Sequence, residues 1–247
     1  EPVALNHTPD RSEGASVAMD QDVELIIRTV KKDFLISRYP ITEAQYAMFT
    51  NSDGYNSKAY WTESGWAWKE YSKIAGPRRF HAVPQAENHP QSGVSWYEAD
   101  AYCRWLSEIL ERNIRLPTES EWLLVARGGD LRIYPWGTKY ERMICNDKSA
   151  GLGRACAVGI FTEGDTPNGV SDLAGNVMEW CNTVWLDDYQ TYNVDTQEDH
   201  NGQESRVVRG SSFDSSETDV SNTNRTFRDP SNQYDDVGFR IVQVSKV

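Results

Sequence analysis

The chain has 247 residues, 38% of them hydrophobic, which is enough to bury one sizeable core. Its 25 Lys and Arg stand against 37 Asp and Glu, and the formal net charge is −12. An acidic surface repels phosphate backbones and anionic lipids, and no apolar run approaches the ~20 residues that span a bilayer, so we expect neither nucleic-acid binding nor membrane insertion.

The N-terminal part of the chain predicts a polar segment followed by two strands. Residues 1–22 are polar and are expected to fray, outside a single domain of residues 23–247. They lack the charged and apolar regions of a signal peptide, and localisation cannot be read from them. The strands are predicted in VELIIRTV (23–30) and DFLIS (33–37). Pro40 ends the second strand because proline removes a ladder donor and restricts its predecessor.

Three capping boxes predict three helices, because in each box a side chain can cap the backbone N–H three residues later. The boxes pair Thr42 with Gln45, Ser95 with Glu98 and Thr118 with Glu121. The positions expected to face the core are Tyr46, Phe49, Ala99, Tyr102, Leu106, Ile109, Trp122, Val125 and Ala126. Gly128 and Gly129 are expected to stop the third helix. Residues 51–90 mix turn formers with aromatics and predict irregular structure.

The second half of the chain predicts short strands and loops. Beyond Gly129, apolar pieces are separated by Gly, Pro, Asn and Asp at close intervals. Helices early and strands at both ends indicate an α+β fold, loop-rich with few helices and short strands. The four cysteines (Cys103, Cys145, Cys156 and Cys181) are interpreted as reduced, mostly buried thiols, with a Cys145–Cys156 disulfide as the alternative.

The segment near the C-terminus has the composition of a contact surface. Between RVVRG (206–210) and VGFR (237–240) lie about 26 residues with neither helical nor strand periodicity. They are rich in Asp, Ser, Asn and Thr, with a few aromatics. Aromatics supply contact area and small polar residues supply adaptable hydrogen bonds. The alternative is an ordinary solvated loop.

Six phrases, taken together and in order, resemble the formylglycine-generating-enzyme, or sulfatase-modifying-factor, domain over residues 34–242. They are FLISRYPITEAQYAMF (34–49), HPQSGVSWYEADAYCRWLSE (89–108), IRLPTESEWLLVARGG (114–129), YPWG (134–137), GVSDLAGNVMEW (169–180), and RVVRGSSF (206–213) with VGFR. The resemblance implies a C-type-lectin-like fold. It leaves three subgroups open: a copper-dependent oxidising enzyme, an iron-dependent sulfoxide synthase, and non-enzymatic display proteins such as the variable proteins of diversity-generating retroelements.

The residues that the two enzymatic subgroups need are missing. The oxidising enzymes carry a cysteine pair after the phrase that matches RVVRGSS, whereas residues 209–247 contain no cysteine. Ser or Asp cannot replace it, because soft Cu(I) needs soft sulfur. The four histidines (His7, His81, His89 and His200) form no HxxxExH iron motif. We therefore predict no catalytic residues and no required cofactor. Two alternatives stay open. One is an oxidoreductase with a displaced site, which copper binding with thiol consumption would support. The other is a catalytically dead regulatory domain of a larger signalling or defence protein.

The display interpretation implies a variable region at about 210–240. In retroelement variable proteins, mutated Asn codons yield NNY codons, which encode Phe, Tyr, Ser, Asp and Thr but never Glu or Gln. Glu217 and Gln233 would therefore be fixed or would derive from other codons, and Val220, Arg225 and Pro230 would hold the path of the chain. The predicted ligand-binding positions are Phe213, Asp214, Ser215, Ser216, Asp219, Asn224, Thr226, Phe227, Asp229, Asn232, Tyr234, Asp235 and Asp236. Phe213, Phe227 and Tyr234 are the candidate hot spots. The expected partner is a protein or cell-surface ligand that is basic or hydroxyl-rich, bound by a monomer.

The phrase GVSDLAGNVMEW implies a structural Ca²⁺ site by the same resemblance. Its ligands would be the Asp172 carboxylate, the Glu179 carboxylate or backbone, and the carbonyls of Gly175 and Val177. Oxygen ligands suit a hard cation, and a tight turn at Gly175 would let the carbonyls converge. The alternative is that Asp172 and Asn176 cap turns.

Overall fold

The computed structural model describes residues 2–4, 26–27, 29–30, 32–80, 86–130, 132–187, 189 and 202–245. The helices are α1 (Glu43–Asn51), α2 (Glu63–Ser72), α3 (Trp96–Leu110) and α4 (Glu119–Arg127). The strands are β1 (Pro2–Ala4), β2 (Phe34–Ser37), β3 (Asn113–Arg115), β4 (Met178–Val184), β5 (Arg206–Arg209), β6 (Arg225–Arg228), β7 (Val237–Gly238) and β8 (Val242–Val244). This confirms the α+β class. None of the helices in these ranges could cross a bilayer.

All three predicted capping boxes are confirmed. The side chains of Thr42, Ser95 and Thr118 each accept a bond from the backbone N–H three residues on, and the reciprocal side-chain bond is also present. α4 stops at Gly128, whose φ is +57°. The predicted face of α3 is correct at Ala99 and Tyr102, whereas Leu106 is only partly buried. The prediction for Ile109 is wrong: its side chain is 58% exposed because the last turn of α3 extends past the core.

Three other predictions need correction. The region 23–30 is not a strand where it is described: Ile26 and Ile27 are helical, and the Thr29 hydroxyl donates to the Ile26 carbonyl over 2.6 Å, closing a turn. Pro2–Ala4 do not fray but pair with β2. The stretch 51–90 contains α2, whose N-cap is Thr62, with a side chain that accepts from the Gly65 N–H. α2 lacks an apolar stripe, because its buried residues are Gly65 and Lys69.

Two four-stranded sheets organise the domain. The first has the order β1-β2-β8-β3 and joins the two ends of the chain by antiparallel pairing. The second has the order β6-β5-β4-β7, with β7 parallel to β4. Glu179 of β4 pairs with Arg209 on one side and Gly238 on the other. The two ends of the segment between β5 and β7 are therefore fixed on either side of one strand, about 10 Å apart.

Aromatic side chains fill much of the core. The chain has 9 Trp and 12 Tyr, and many of them must pack in the core because the chain has few Leu and Ile. Tyr46 of α1 stacks on Tyr102 of α3 with ring centroids 5.4 Å apart, and both rings meet Phe239 edge-on. Such pairs contribute about 0.5–1.5 kcal/mol each beyond their area burial. This packing joins α1 and α3 to the strand region that follows the C-terminal segment.

Candidate functional site

The candidate site is the segment that the sequence predicts to vary, residues 210–236, which connects β5 to β7 and is called the variable segment for that prediction. It follows a strand whose four residues are all buried and precedes two buried residues of β7. Midway it forms β6, the edge strand of the second sheet, which pairs with β5 from Arg206–Arg228 to Arg209–Arg225. The segment is thus anchored at both ends and in the middle, with loops between the anchors.

Most of the predicted ligand-binding positions are accessible. Asp214, Asp219, Phe227, Asp229 and Asn232 are exposed, and Ser215, Ser216, Asn224, Thr226, Tyr234, Asp235 and Asp236 are half-buried. Phe213 is the exception. Its side chain is buried against Ala155 and Val177, so the prediction of an exposed contact there is wrong. The Phe213 N–H also donates to the Asn176 carbonyl, which directs the chain inward.

One group of accessible positions, the acidic loop face, lies where β5 ends and β7 begins. Its members are Asp214, Ser215, Ser216, Asp219, Asp235 and Asp236. The Ser212 hydroxyl donates to Asp236 over 3.4 Å, joining the two ends of the segment, and Lys148 lies 3.4 Å from Asp214. Burial raises the pKa of Asp236, and the Asp235 charge adds to that rise. Hydrogen bonding from the Ser216 hydroxyl lowers the pKa of Asp219.

A second group, the aromatic edge, comprises Phe227 on β6, Tyr234 after it, and Trp185, which packs against Phe227. Phe227 is 48% exposed and packs on Trp185, with ring centroids 4.9 Å apart. Trp185 has a second contact with Arg225, whose guanidinium lies 3.8 Å from the Trp185 ring centroid. Tyr234 is covered in part by Arg228, 5.2 Å from its ring. Sequence reasoning missed Trp185, because it follows β4, outside the segment, and is brought to Phe227 only by the pairing of β4 with β5 and of β5 with β6.

A group of buried and half-buried side chains around the Glu119 carboxylate, called the charged frame, holds the segment on its inner side. It consists of Glu119, Tyr189, Arg209 and Arg225. The Glu119 carboxylate lies 2.6 Å from Arg209 and 3.0 Å from Arg225, and it accepts from the Tyr189 hydroxyl over 2.8 Å. Arg209 also donates to the carbonyls of residues 222, 223 and 224. One buried guanidinium therefore fixes the path of the loop before β6.

Individual side chains inside the segment add further anchors. Asn222 is fully buried, and its amide donates to the carbonyls of Ala126 and Arg132 over 2.9 and 3.2 Å. Gln233 donates to the buried Glu98 over 2.7 Å. Val220 and Pro230 are buried and Arg225 pairs with Glu119, an arrangement compatible with the path-holding role predicted for these three. Sequence reasoning missed Asn222, since its type and neighbours match those of accessible asparagines.

Of the two carboxylates predicted to bind calcium, Asp172 and Glu179, the second is already paired with an arginine. The Glu179 carboxylate accepts two bonds from Arg240, over 2.6 and 2.7 Å, and one from the Trp122 indole N–H over 2.8 Å. A guanidinium thus already neutralises Glu179. Asp172 accepts from the Gly159 N–H, and burial raises the pKa of its carboxyl to about 6. Its φ of +56° places it in a turn, which fits the capping alternative.

The remaining parts of the predicted cation site are backbone groups. Gly175 has a φ of +77°, and a Cβ there would lie 2.7 Å from the Asn146 carbonyl oxygen, so the tight turn expected at Gly175 is present. Val177 is buried beside Phe213. Over the described residues, no three His, Cys, Asp or Glu side chains are grouped so that they could share a metal ion. Once Glu179 is set aside, the Asp172 carboxylate and the backbone carbonyls are the predicted calcium ligands that remain.

The four cysteines are free and buried, which confirms the first interpretation and not the disulfide. Burial raises the pKa of every one of these thiols, to about 12 for Cys145 and about 11 for Cys156. Thiolates are the reactive form of cysteine, so such thiols are poor nucleophiles and metal ligands at neutral pH. They lie on the scaffold: Cys103 is in α3 and Cys181 is in β4.

Comparison with known proteins places these features in context. The model of the sulfatase-modifying factor enzyme 1-like domain matches residues 13–245. The chain is 32% identical to the formylglycine-generating enzyme of Thermomonospora curvata, over 79% of this chain and 76% of that protein. It is 28% identical to the inactive C-alpha-formylglycine-generating enzyme 2 of Mus musculus, over 94% and 79%. Two other relatives are longer, and the chain spans 36% and 44% of their lengths.

Solved structures share the fold. Treponema denticola variable protein 1 superimposes with a TM-score of 0.63 at 21% identity, over 86% of this chain and 85% of that one. At this identity the likeness concerns the fold alone. Together with the family match, it confirms the predicted C-type-lectin-like architecture of the formylglycine-generating-enzyme type.

Proposed function

The chain belongs to the family of sulfatase-modifying factor enzyme 1-like domains, and within that family we propose that it is a ligand-binding display protein. Its variable segment meets the ligand, and a retroelement diversifies that segment. The observation that carries the proposal is the arrangement of the segment: twelve accessible, chemically adaptable positions lie over anchors that are buried and hydrogen-bonded. This arrangement separates the residues that can change from those that hold the fold.

The chemistry of the cysteines supports a non-enzymatic role. The family includes a formylglycine-generating enzyme as well as a protein whose name marks it as inactive. No cysteine follows Arg209, and the four cysteines of the chain are buried with raised pKa values. A redox site of the oxidising type would need accessible thiolates. An oxidoreductase with a displaced site is the second candidate, favoured by the 32% identity to an enzyme.

The two accessible groups suggest what the ligand is like. The acidic loop face carries four aspartates and would complement a basic partner surface. The aromatic edge offers Phe227 on Trp185, the kind of rigid aromatic area that supplies most contact energy in binding surfaces. We propose a protein or cell-surface ligand with basic groups, contacted by a monomer without bound cofactor.

The display role predicts that the same substitution changes stability little at one asparagine of the segment and strongly at another. Asn232→Tyr is expected to change the free energy of unfolding by less than about 0.5 kcal/mol, because Asn232 is exposed. Asn222→Tyr is expected to cost about 2–3 kcal/mol, because it overfills a buried site and leaves two carbonyls without their donor. Urea unfolding of the two variants measures both. A large loss at Asn232 would mean that accessible positions cannot vary freely, against the proposal.

A further inference from the structure

A cavity of about 160 Å³ lies outside the variable segment, between α1 and two loop stretches. One face of α1 forms a wall, with residues spaced by three and four positions. The lining residues are Glu43, Tyr46, Ala47 and Thr50 from α1, Pro77, Arg78, Arg79 and Phe80 from the loop after α2, and Gln91 and Ser92. A cavity of this volume accommodates a benzene-sized molecule. None of the lining residues belongs to the predicted ligand surface.

Two adjacent arginines make the cavity electropositive on a protein of net charge −12. The side chains of Arg78 and Arg79 are exposed, and neither lies within salt-bridge distance of an acidic side chain in the described ranges. The Arg78 guanidinium lies 4.9 Å from the Phe80 ring centroid. Stacking of this kind holds a guanidinium plane while its N–H edge stays available for bidentate hydrogen bonds.

The backbone places Arg78 at the cavity by a close approach that only glycine permits. The Arg78 N–H donates to the Gly93 carbonyl over 2.8 Å. Gly93 has a φ of +71°, and a Cβ there would lie 2.2 Å from the Arg78 carbonyl oxygen. The Gly93 N–H in turn donates to the Tyr234 carbonyl over 2.8 Å. The wall of the cavity is therefore fixed to the scaffold rather than left as a free loop.

Glu43 of α1 also lines the cavity and restricts the charge of a bound anion. Burial raises the pKa of Glu43, and the nearby Arg79 charge acts against that rise. A ligand between the arginines and Glu43 would meet two positive charges and one negative charge. A monoanion satisfies this set, whereas a dianion such as phosphate would be repelled by the Glu43 carboxylate.

We propose that this cavity binds a small organic monocarboxylate, with the carboxylate held by Arg78 and Arg79 and the apolar body resting on Phe80 and Ala47. The site is distinct from the proposed display surface, because none of the residues that line it lies in the variable segment. Its ligand would be about the size of a benzene ring that carries one carboxylate.

Isothermal titration calorimetry of the full chain with benzoate tests the proposal, with benzamide as the neutral probe of the same shape. We expect saturable benzoate binding with a Kd of about 1 mM, and benzamide binding at least about tenfold weaker. Arg78→Gln and Arg79→Gln should each raise the benzoate Kd about tenfold or more, since each removes charge-assisted hydrogen bonds. Arg142→Gln, at an exposed arginine outside the cavity, should leave the Kd unchanged.

Three outcomes would overturn the assignment. Equal binding of benzamide and benzoate would show that the arginines do not recognise a carboxylate. Tighter binding of inorganic phosphate than of benzoate would show a dianion site instead. Absence of saturable binding at tens of millimolar benzoate, to a protein that a thermal unfolding transition shows to be folded, would show that the cavity is not a ligand site.

Discussion

Glu119→Ala is expected to destabilise the protein by about 3–5 kcal/mol, because it leaves two buried or half-buried guanidiniums without their counter-charge. The side chains of Glu119 and Arg209 are both fully buried, at a separation of 2.6 Å. Arg225 and the Tyr189 hydroxyl converge on the same carboxylate. Chemical denaturation gives the free energy of unfolding. A loss of the size expected for a surface residue would show that the charged frame does not hold the fold.

The same variant should loosen the variable segment specifically. Arg209 donates to the carbonyls of residues 222, 223 and 224, and it keeps this position through Glu119. Hydrogen exchange of backbone amides in the segment should therefore accelerate more than exchange in α3. Glu217→Ala is the matched control, because Glu217 is an exposed glutamate of the same segment. It should change stability by less than about 0.5 kcal/mol.

Glu179→Gln is expected to cost about 3–5 kcal/mol as well, through a different part of the fold. The substitution keeps an acceptor for the Trp122 indole N–H but removes the negative charge that faces Arg240. Both partners of this pair are buried, and Arg240 also donates to the carbonyls of Ser37, Arg38 and Ser171. The variant leaves a buried guanidinium with neutral acceptors only. Thermal or urea unfolding measures the loss.

An exposed ion pair gives the comparison for this variant. Lys148 and Asp214 lie 3.4 Å apart with both side chains more than half exposed. Lys148→Gln should change stability by less than about 0.5 kcal/mol, since solvent screens such pairs. Similar effects at Glu179 and Lys148 would mean that burial of the Glu179–Arg240 pair contributes nothing, contrary to the structure.

Features that depend on neighbours in sequence were predictable. The three capping boxes involve residues three positions apart, and all three helices begin where the boxes lie. The glycine stop of α4 and the α+β class follow from similarly local signals. The family resemblance predicted the fold. Of the thirteen predicted ligand-binding positions, five are exposed and seven are half-buried, because polar residues between two apolar strands tend to face solvent.

Features that depend on distant contacts were not predictable. α2 buries Lys69 among the rings of Tyr55, Trp61 and Trp66, so it shows no apolar stripe. Asn222 is an anchor only because the loop after α4 brings the Arg132 carbonyl to it. Phe213 is buried because Val177 and Ala155 meet it from other loops. The pairing of Glu179 with Arg240 spans 61 residues of sequence.

The arrangement separates two tasks within one segment. Under the proposed display function, accessible side chains of the acidic loop face and the aromatic edge would be free to differ, while Arg209, Asn222 and Gln233 hold the backbone through buried hydrogen bonds. Gln233 lies outside the NNY code, which agrees with a fixed role for its bond to Glu98. Asn222 lies inside that code, so diversification at this position would produce many unfolded chains. Variation would be expected to concentrate at the accessible positions.

The DNA that flanks the gene tests the display proposal most directly. We expect a near-duplicate of the codons for residues 210–240 beside a reverse-transcriptase gene, with mismatches at adenines that fall in codons of the twelve accessible positions. Sequencing the locus, together with the same locus from related isolates, measures this. A locus without such a repeat, or with differences spread evenly over buried and accessible codons, would contradict diversification of this surface.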